Sequence, residues 1–410
     1  DDRKKIDVLK EVVNSKVKNR YYPEVLYELG RTLVQTGANG EAVQYFKELS
    51  EEYRESPYYT KALLEIGLIS LNMQDNEGAT AYYKKILEQG PDSPEAQSAI
   101  AGLENIYQEK GEAEEFLAYL DQKGLSTTKS AGDKELMLFN SAEKLYLSGN
   151  TAGAISSLTS FTTKYPSSIK LSQVYYYLGE LYMKSDKPEL ALDAYMKVMQ
   201  QGEGSFVELA TLNYARIAYR LEKYKKALEG YSTLSIIAKL PNNKTEAEVG
   251  RINSFFMDKQ YENAVAEAQK IQVQNLDESD RGRVKYVLAK SYFLLGERTK
   301  ALPILKEIAK NKAVPEGAEC QYMIITNAFD NGDFSTVEKE VFAFSDSNTP
   351  QTYWLAKSFI LLGDSYAERE DWEQAEATFK SILDSYKSTS KDDIADQVKM
   401  RLSKISKKTK

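Results

Sequence analysis

The chain has 410 residues, of which 42% are apolar and 28% charged, enough hydrophobic content to bury a core. Its formal net charge of -7 offers no basic field for neutralising phosphates, so nucleic acid is not an expected partner. The absence of any histidine removes the commonest general base and zinc ligand, and Cys320, the single cysteine, excludes an intrachain disulfide.

In chain order, residues 1–20 carry Ile6, Leu9, Val12 and Val13 on one predicted helix face. Beyond them a recurrent small residue, followed four positions later by a larger apolar one, marks a helix in each of ten units. The anchors are Ala42, Ala79, Phe116, Ala154, Ala191, Ala227, Ala264, Ala301, Val337 and Ala375, with Phe116 and Val337 standing where the others have Ala. They span 333 residues in nine steps of 36, 37 or 38, a mean of 37. One period before Ala42 lies Lys5, so the first helix is expected to be the second half of a pair whose first half precedes Asp1. On that reading the polypeptide continues N-terminally with further repeats and an export signal.

Each anchor helix is preceded by another with apolar residues at i, i+3, i+4 and i+7, so the unit is a pair of helices. The fifth reads Tyr175, Leu178, Gly179, Tyr182 and then Ala191, Tyr195, Val198. The tenth reads Phe359, Leu362, Gly363, Tyr366 and then Ala375, Phe379, Ile382. The small residues are expected to let helix backbones approach closely. The third, seventh and ninth units keep the phase but little of the pattern. Nine of the ten prolines fall in connections or at helix starts, and Pro303, inside a second helix, predicts a local kink. The loop-like stretches are 124–133, 240–244, 274–280 and 345–351; the first, rich in Ser, Thr and Gly, is expected to let the first three pairs hinge. Ile394, Val398, Leu402 and Ile405 then form one stripe on a charged terminal helix ending near Lys404, Lys407, Lys408 and Lys410, a cap for the array.

These motifs resemble the tetratricopeptide repeat, W-x2-L-G-x2-Y, then A-x3-F, then P, with another aromatic in the Trp place. The resemblance implies an all-α fold, a right-handed α-solenoid superhelix of about ten helix pairs with a C-terminal capping helix. The domains are then a partial repeat at 1–20, three repeats at 21–123, seven at 134–388 and the cap at 391–408. A period of 37, with segments such as 161–168, is similar to tetratricopeptide proteins of the bacterial envelope, among them outer-membrane assembly lipoproteins and division-coordinating periplasmic proteins. A periplasmic or outer-membrane-associated location is therefore expected, with a cytoplasmic one as the other possibility.

No P-loop, dinucleotide fingerprint, nucleophile elbow or EF-hand ligand set is present, so no catalytic residue, metal site or small-molecule cofactor is expected. Asp330, Asn331, Gly332 and Asp333 read as a polar turn, and Cys320 as a small buried hydrophobe. No apolar run is long enough to span a bilayer; that around residues 63–71 is broken by Glu65, Gly67 and Ser70.

In the family it resembles, first helices line the concave face. Carried over, the groove positions are Tyr27, Phe139, Tyr146, Tyr176, Tyr219, Phe256, Tyr286, Phe293, Tyr322 and Phe329, with Arg216, Arg220 and Lys290 in the same band. Aromatic side chains give large contact area at low entropic cost. The Lys and Asn clamp of chaperone-binding relatives is missing, because Asn105 follows Ala101 and Asn253 follows Val249. The expected function is a non-enzymatic scaffold that holds a protein or peptide partner. The alternative is a regulatory or substrate-positioning arm of a longer enzyme.

Overall fold

The computed structural model describes residues 2–15, 17–90, 93–387 and 392–408. Asp1 and Lys410, named above, lie outside them. All regular structure among the described residues is helical, and it divides into two compact units, Asp1–Lys187 and Pro188–Lys410.

In the first unit, α1 (Asp2–Asn14) precedes α2 (Tyr22–Gln35) and α3 (Asn39–Glu52), then α4 (Tyr59–Asn72) and α5 (Asn76–Gln89). Next come α6 (Pro94–Lys110) with α7 (Ala113–Gln122), α8 (Ala131–Leu147) with α9 (Thr151–Lys164), and α10 (Leu171–Lys184). A short 3-10 turn, η1 (Ser126–Thr128), lies between α7 and α8.

The second unit begins with α11 (Pro188–Met199), followed by α12 (Val207–Arg220) with α13 (Tyr224–Ile237), and α14 (Pro241–Met257) with α15 (Tyr261–Lys270). The 3-10 turn η2 (Val273–Asn275) leads to α16 (Glu278–Leu294) with α17 (Arg298–Ile308). The chain then forms α18 (Pro315–Asp330) with α19 (Phe334–Asp346), α20 (Thr352–Glu368) with α21 (Trp372–Ser385), and α22 (Ile394–Lys408). In each unit the principal helix contacts join neighbours in sequence or next-but-one helices such as α14 and α16, the signature of an α-solenoid rather than a shared central core.

The repeat phase is exact at the level of single residues. Each of the ten anchors is the fourth residue of its helix, and each has 0% exposure. Five residues before every anchor the backbone turns left-handed: at Gly37, Gly111, Gly149, Gly296 and Gly332, and also at Gln74, Asp186, Glu222, Lys259 and Glu370. One residue later an N–H donates back to a carbonyl five positions upstream, as Ala38 to Leu33 at 2.9 Å and Asp371 to Tyr366 at 3.0 Å. This is the Schellman stop, which satisfies carbonyls the first helix leaves open.

The glycines of the first helices do something other than let backbones touch. A Cβ on Gly30, Gly67 or Gly363 would lie 2.5 Å from the ring of Phe46, Tyr83 or Phe379, the residue four past the anchor. Gly179 occupies the same place and is buried. Here the missing side chain makes room for an aromatic knob. At Gly230 on α13 the backbones do approach, since a Cβ there would lie 3.0 Å from Cα of Ala215 on α12.

Other expectations meet the structure as follows. On α1, Ile6, Leu9 and Val13 pack against the next pair, whereas Val12 is exposed. The helix α17 runs through Pro303, which lacks the N–H that would reach the carbonyl of Thr299. Residues 241–244 form the first turn of α14 rather than a loop, with Pro241 at its start. The stretch 124–133 is folded: Leu125 is buried, η1 follows, Ser130 and Asp133 form a capping box, and Lys129 pairs with Glu104. At the far end α22 buries Ile394, Val398 and Ile405 against α20 and α21, Arg401 holds Asp364 at 2.7 Å, and the Lys408 ammonium lies 4.9 Å from the Trp372 ring.

Candidate first-helix recognition surface

The band of aromatic and cationic residues picked from the sequence resolves into three kinds of place. The first is the turn. Tyr219, Phe256 and Phe329, at the end of their first helices, meet Tyr224, Tyr261 and Phe334 at 5.6, 5.6 and 5.8 Å, each the first residue of the second helix. Phe293 holds the same position, 9% exposed, with the Arg298 guanidinium 3.4 Å above its ring. Because a helix's last turn curls toward the helix that follows, these rings staple the turn, and Phe293 is closed off from any partner.

The second place is the interior. Phe139 is 2% exposed, its ring 6.0 Å from Phe161. It faces α9 and belongs to the core, not to a binding wall. Tyr27 is half-buried between Phe46 and Tyr58, at 6.0 and 5.2 Å.

The third place is the seam between successive first helices. Tyr146 of α8 stacks on Tyr177 of α10 at 4.0 Å and donates its hydroxyl to Glu180, which also accepts from Tyr176 at 3.2 Å. Burial, and then that carboxylate, push the Tyr146 phenol far above its ordinary range and Tyr176 up to about 12, so both stay protonated. Arg216 of α12 pairs with Glu246 of α14. Between α16 and α18, Lys290 reaches Glu319 at 2.7 Å and the Tyr286 hydroxyl, itself bonded to Glu319, at 3.0 Å. Tyr322 lies 5.5 Å from Trp354 of α20. Arg220 is exposed on the last turn of α12. Much of the predicted surface thus spends its polar ends tying one repeat to the next.

The open part of this face was not visible from the aromatic pattern. A cleft of about 690 Å³ runs across α12, α14 and the start of α16, within the second unit. Tyr219 and Tyr231 form one side, Val249, Gly250 and Asn253 of α14 the floor, and Asp277, Asp280 and Arg283 the other side, with Glu246 between. Part of the lining comes from the connection into α16: α15 has 10 residues where α13 has 14, η2 follows it, and Asn275 of η2 lines the cleft. The weak match of the seventh unit was the sequence signal. Asp277 caps α16, accepting the Asp280 N–H at 2.8 Å. Burial, and then the charge of Asp277, push the Asp280 carboxyl up, with Arg283 opposing.

Among the described residues no cluster of three or more His, Cys, Asp or Glu is arranged to hold a metal ion, and no helix is long and apolar enough to cross a membrane. Two family models, both described as tetratricopeptide repeat, match residues 27–94 and 353–389. The chain carries tetratricopeptide repeats. No curated protein matches it. Among solved structures it is similar to a tetratricopeptide repeat protein from Parabacteroides merdae, with 18% identity over 65% of this chain and 98% of that one, TM-score 0.37. It is also similar to pilF of Pseudomonas aeruginosa, with 19% identity over 54% of this chain and 94% of that one, TM-score 0.27. Neither likeness bears on what these tetratricopeptide repeats bind.

Proposed function

We propose that the protein is a non-enzymatic scaffold that holds a protein or peptide partner on the first-helix face of its tetratricopeptide repeats. Repeats of this kind generally mediate protein association. The observation that carries the reading is the polar cleft across three consecutive first helices, a concave feature whose lining includes Asp280 and Asn253, neither with a side-chain hydrogen bond among the described residues. An envelope setting belongs to the same proposal. Its support is the 37-residue period and the segment 161–168, which are similar to envelope-type relatives.

Partner capture from the native organism tests it. Tyr219→Ala is expected to reduce recovery of a cross-linked partner, while Ile236→Ala, at an 84% exposed site on α13, leaves it unchanged. Equal recovery with all three chains would remove the first-helix face from the reading. Fractionation of the same cells, with the protein found only in the cytoplasm, would remove the envelope setting.

A further inference from the structure

The cleft carries a charge imbalance with a direction. Its lining holds three carboxylates, Glu246, Asp277 and Asp280, against one cation, Arg283. Two of the acids are answered within the chain, Glu246 by Arg216 and Asp277 by the N-terminus of α16. Asp280 has neither an ion pair nor a side-chain hydrogen bond among the described residues. A second, independent feature lies on the floor. Asn253 is 9% exposed, lines the cleft, and its amide has no hydrogen-bond partner among the described residues. Its amide atoms remain accessible from the cleft and so can bond an arriving group.

We propose that this cleft receives a lysine or arginine side chain from an extended segment of the partner, with its N–H donors shared among Asp280, Glu246 and the Asn253 carbonyl oxygen. The inference rests on the scaffold reading and names the chemistry of its site. Lysine presents three donors and no acceptor, which fits three oxygens and leaves none repelled. The aliphatic stem lies along Tyr219 and Tyr231, whose faces favour a cation. Burial pushes the Tyr231 phenol up to about 12, so it adds no charge of its own. The positive end of the α16 dipole does not turn the site toward anions, because Asp277 already caps it. An incoming carboxylate would meet Asp280 instead.

The test uses the whole chain and fluorescent alanine-flanked peptides, blocked at both ends, that carry Lys, Arg, norleucine or Glu at one central position. Anisotropy titrations at low and moderate salt give the dissociation constants. The Lys and Arg peptides are expected to bind at least about tenfold more tightly than the norleucine peptide, the preference shrinking with salt. Asp280→Asn is expected to remove most of that preference and Asn253→Ala about half of it. A thermal melt of each variant no lower than the parent's by more than a few degrees shows that the fold is kept. Tighter binding of the Glu peptide, equal binding of all four, no binding at millimolar peptide, or an unchanged preference in Asp280→Asn would each overturn the assignment. If the cation preference fails while partner capture still depends on Tyr219, the scaffold reading stands and this inference alone is lost. If the preference holds while partner capture ignores the first-helix face, the scaffold reading is the one that fails.

Discussion

Gly363 on α20 faces the ring of Phe379 on α21 so closely that a Cβ at position 363 would stand 2.5 Å from the ring's Cε1 atom. Phe379 is 1% exposed, so its ring has nowhere to retreat. Alanine is the better helix former by about 1 kcal/mol, but overpacking of this kind costs about 1–3 kcal/mol. Gly363→Ala should therefore lower stability by about 1 kcal/mol net in urea unfolding. Adding Phe379→Leu to it should recover part of that loss, a coupling that a double-mutant cycle reads. Additive losses would mean that the two positions do not share the space.

The five non-glycine residues in the left-handed turns that end first helices make a second expectation. Glu222 and Lys259 hold φ of 57° and 60°. That conformation costs an L side chain about 1–2 kcal/mol, against the roughly 0.4–1 kcal/mol that glycine adds to the entropy of the unfolded chain. Lys259→Gly and Glu222→Gly should each stabilise by about 0.5 kcal/mol, and Gly296→Glu should destabilise. Melting temperatures that move the other way would show that side-chain contacts at these turns outweigh the strain.

The ten anchors were legible in the sequence because a helix pair buries the same few positions every time, and a stripe from Ala42 to Ala375 keeps one phase. The turns were half legible. Glycine marks five of them, whereas Gln74, Asp186, Glu222, Lys259 and Glu370 carry no signal, the Schellman bond being made by the backbone alone. Exposure on the first helices was the weak point. Such a helix has its own partner on one side and the next first helix on another, so Phe139 and Phe293 share a periodic face with Tyr176 and yet are buried. The cleft stayed hidden because part of its lining, Asn275 of η2 and the first turn of α16, lies in a connection that appears in sequence only as a poor repeat.

Asp280 links binding to stability. Its carboxyl is pushed up by burial and by Asp277, so folding favours the protonated form. With a raised folded-state pKa, its favourable contribution is present below the ordinary carboxylate range and is lost as pH rises through the raised value. At neutral pH the ionised group destabilises. Asp280→Asn should thus melt higher than the parent at pH 7, with the gap closing as both are taken to acid pH. A variant that melts lower at pH 7 would contradict the cause assigned to the shift.

Cys320 lies wholly inside α18, and burial pushes its thiol up to about 12. The native protein should leave a chromogenic disulfide reagent unreacted at pH 8 and release one equivalent only on unfolding. Rapid reaction of the folded chain would mean that the eighth and ninth pairs open readily.

A partner held on the first helices of the second unit shields their backbone amides from solvent. Hydrogen exchange of the chain, alone and with its captured partner, tests it most directly. Slowed exchange is expected at the start of α16, including Asp280, and along the cleft-facing parts of α12 and α14. Protection confined to α13, α15 and α17, with none at those positions, would contradict it.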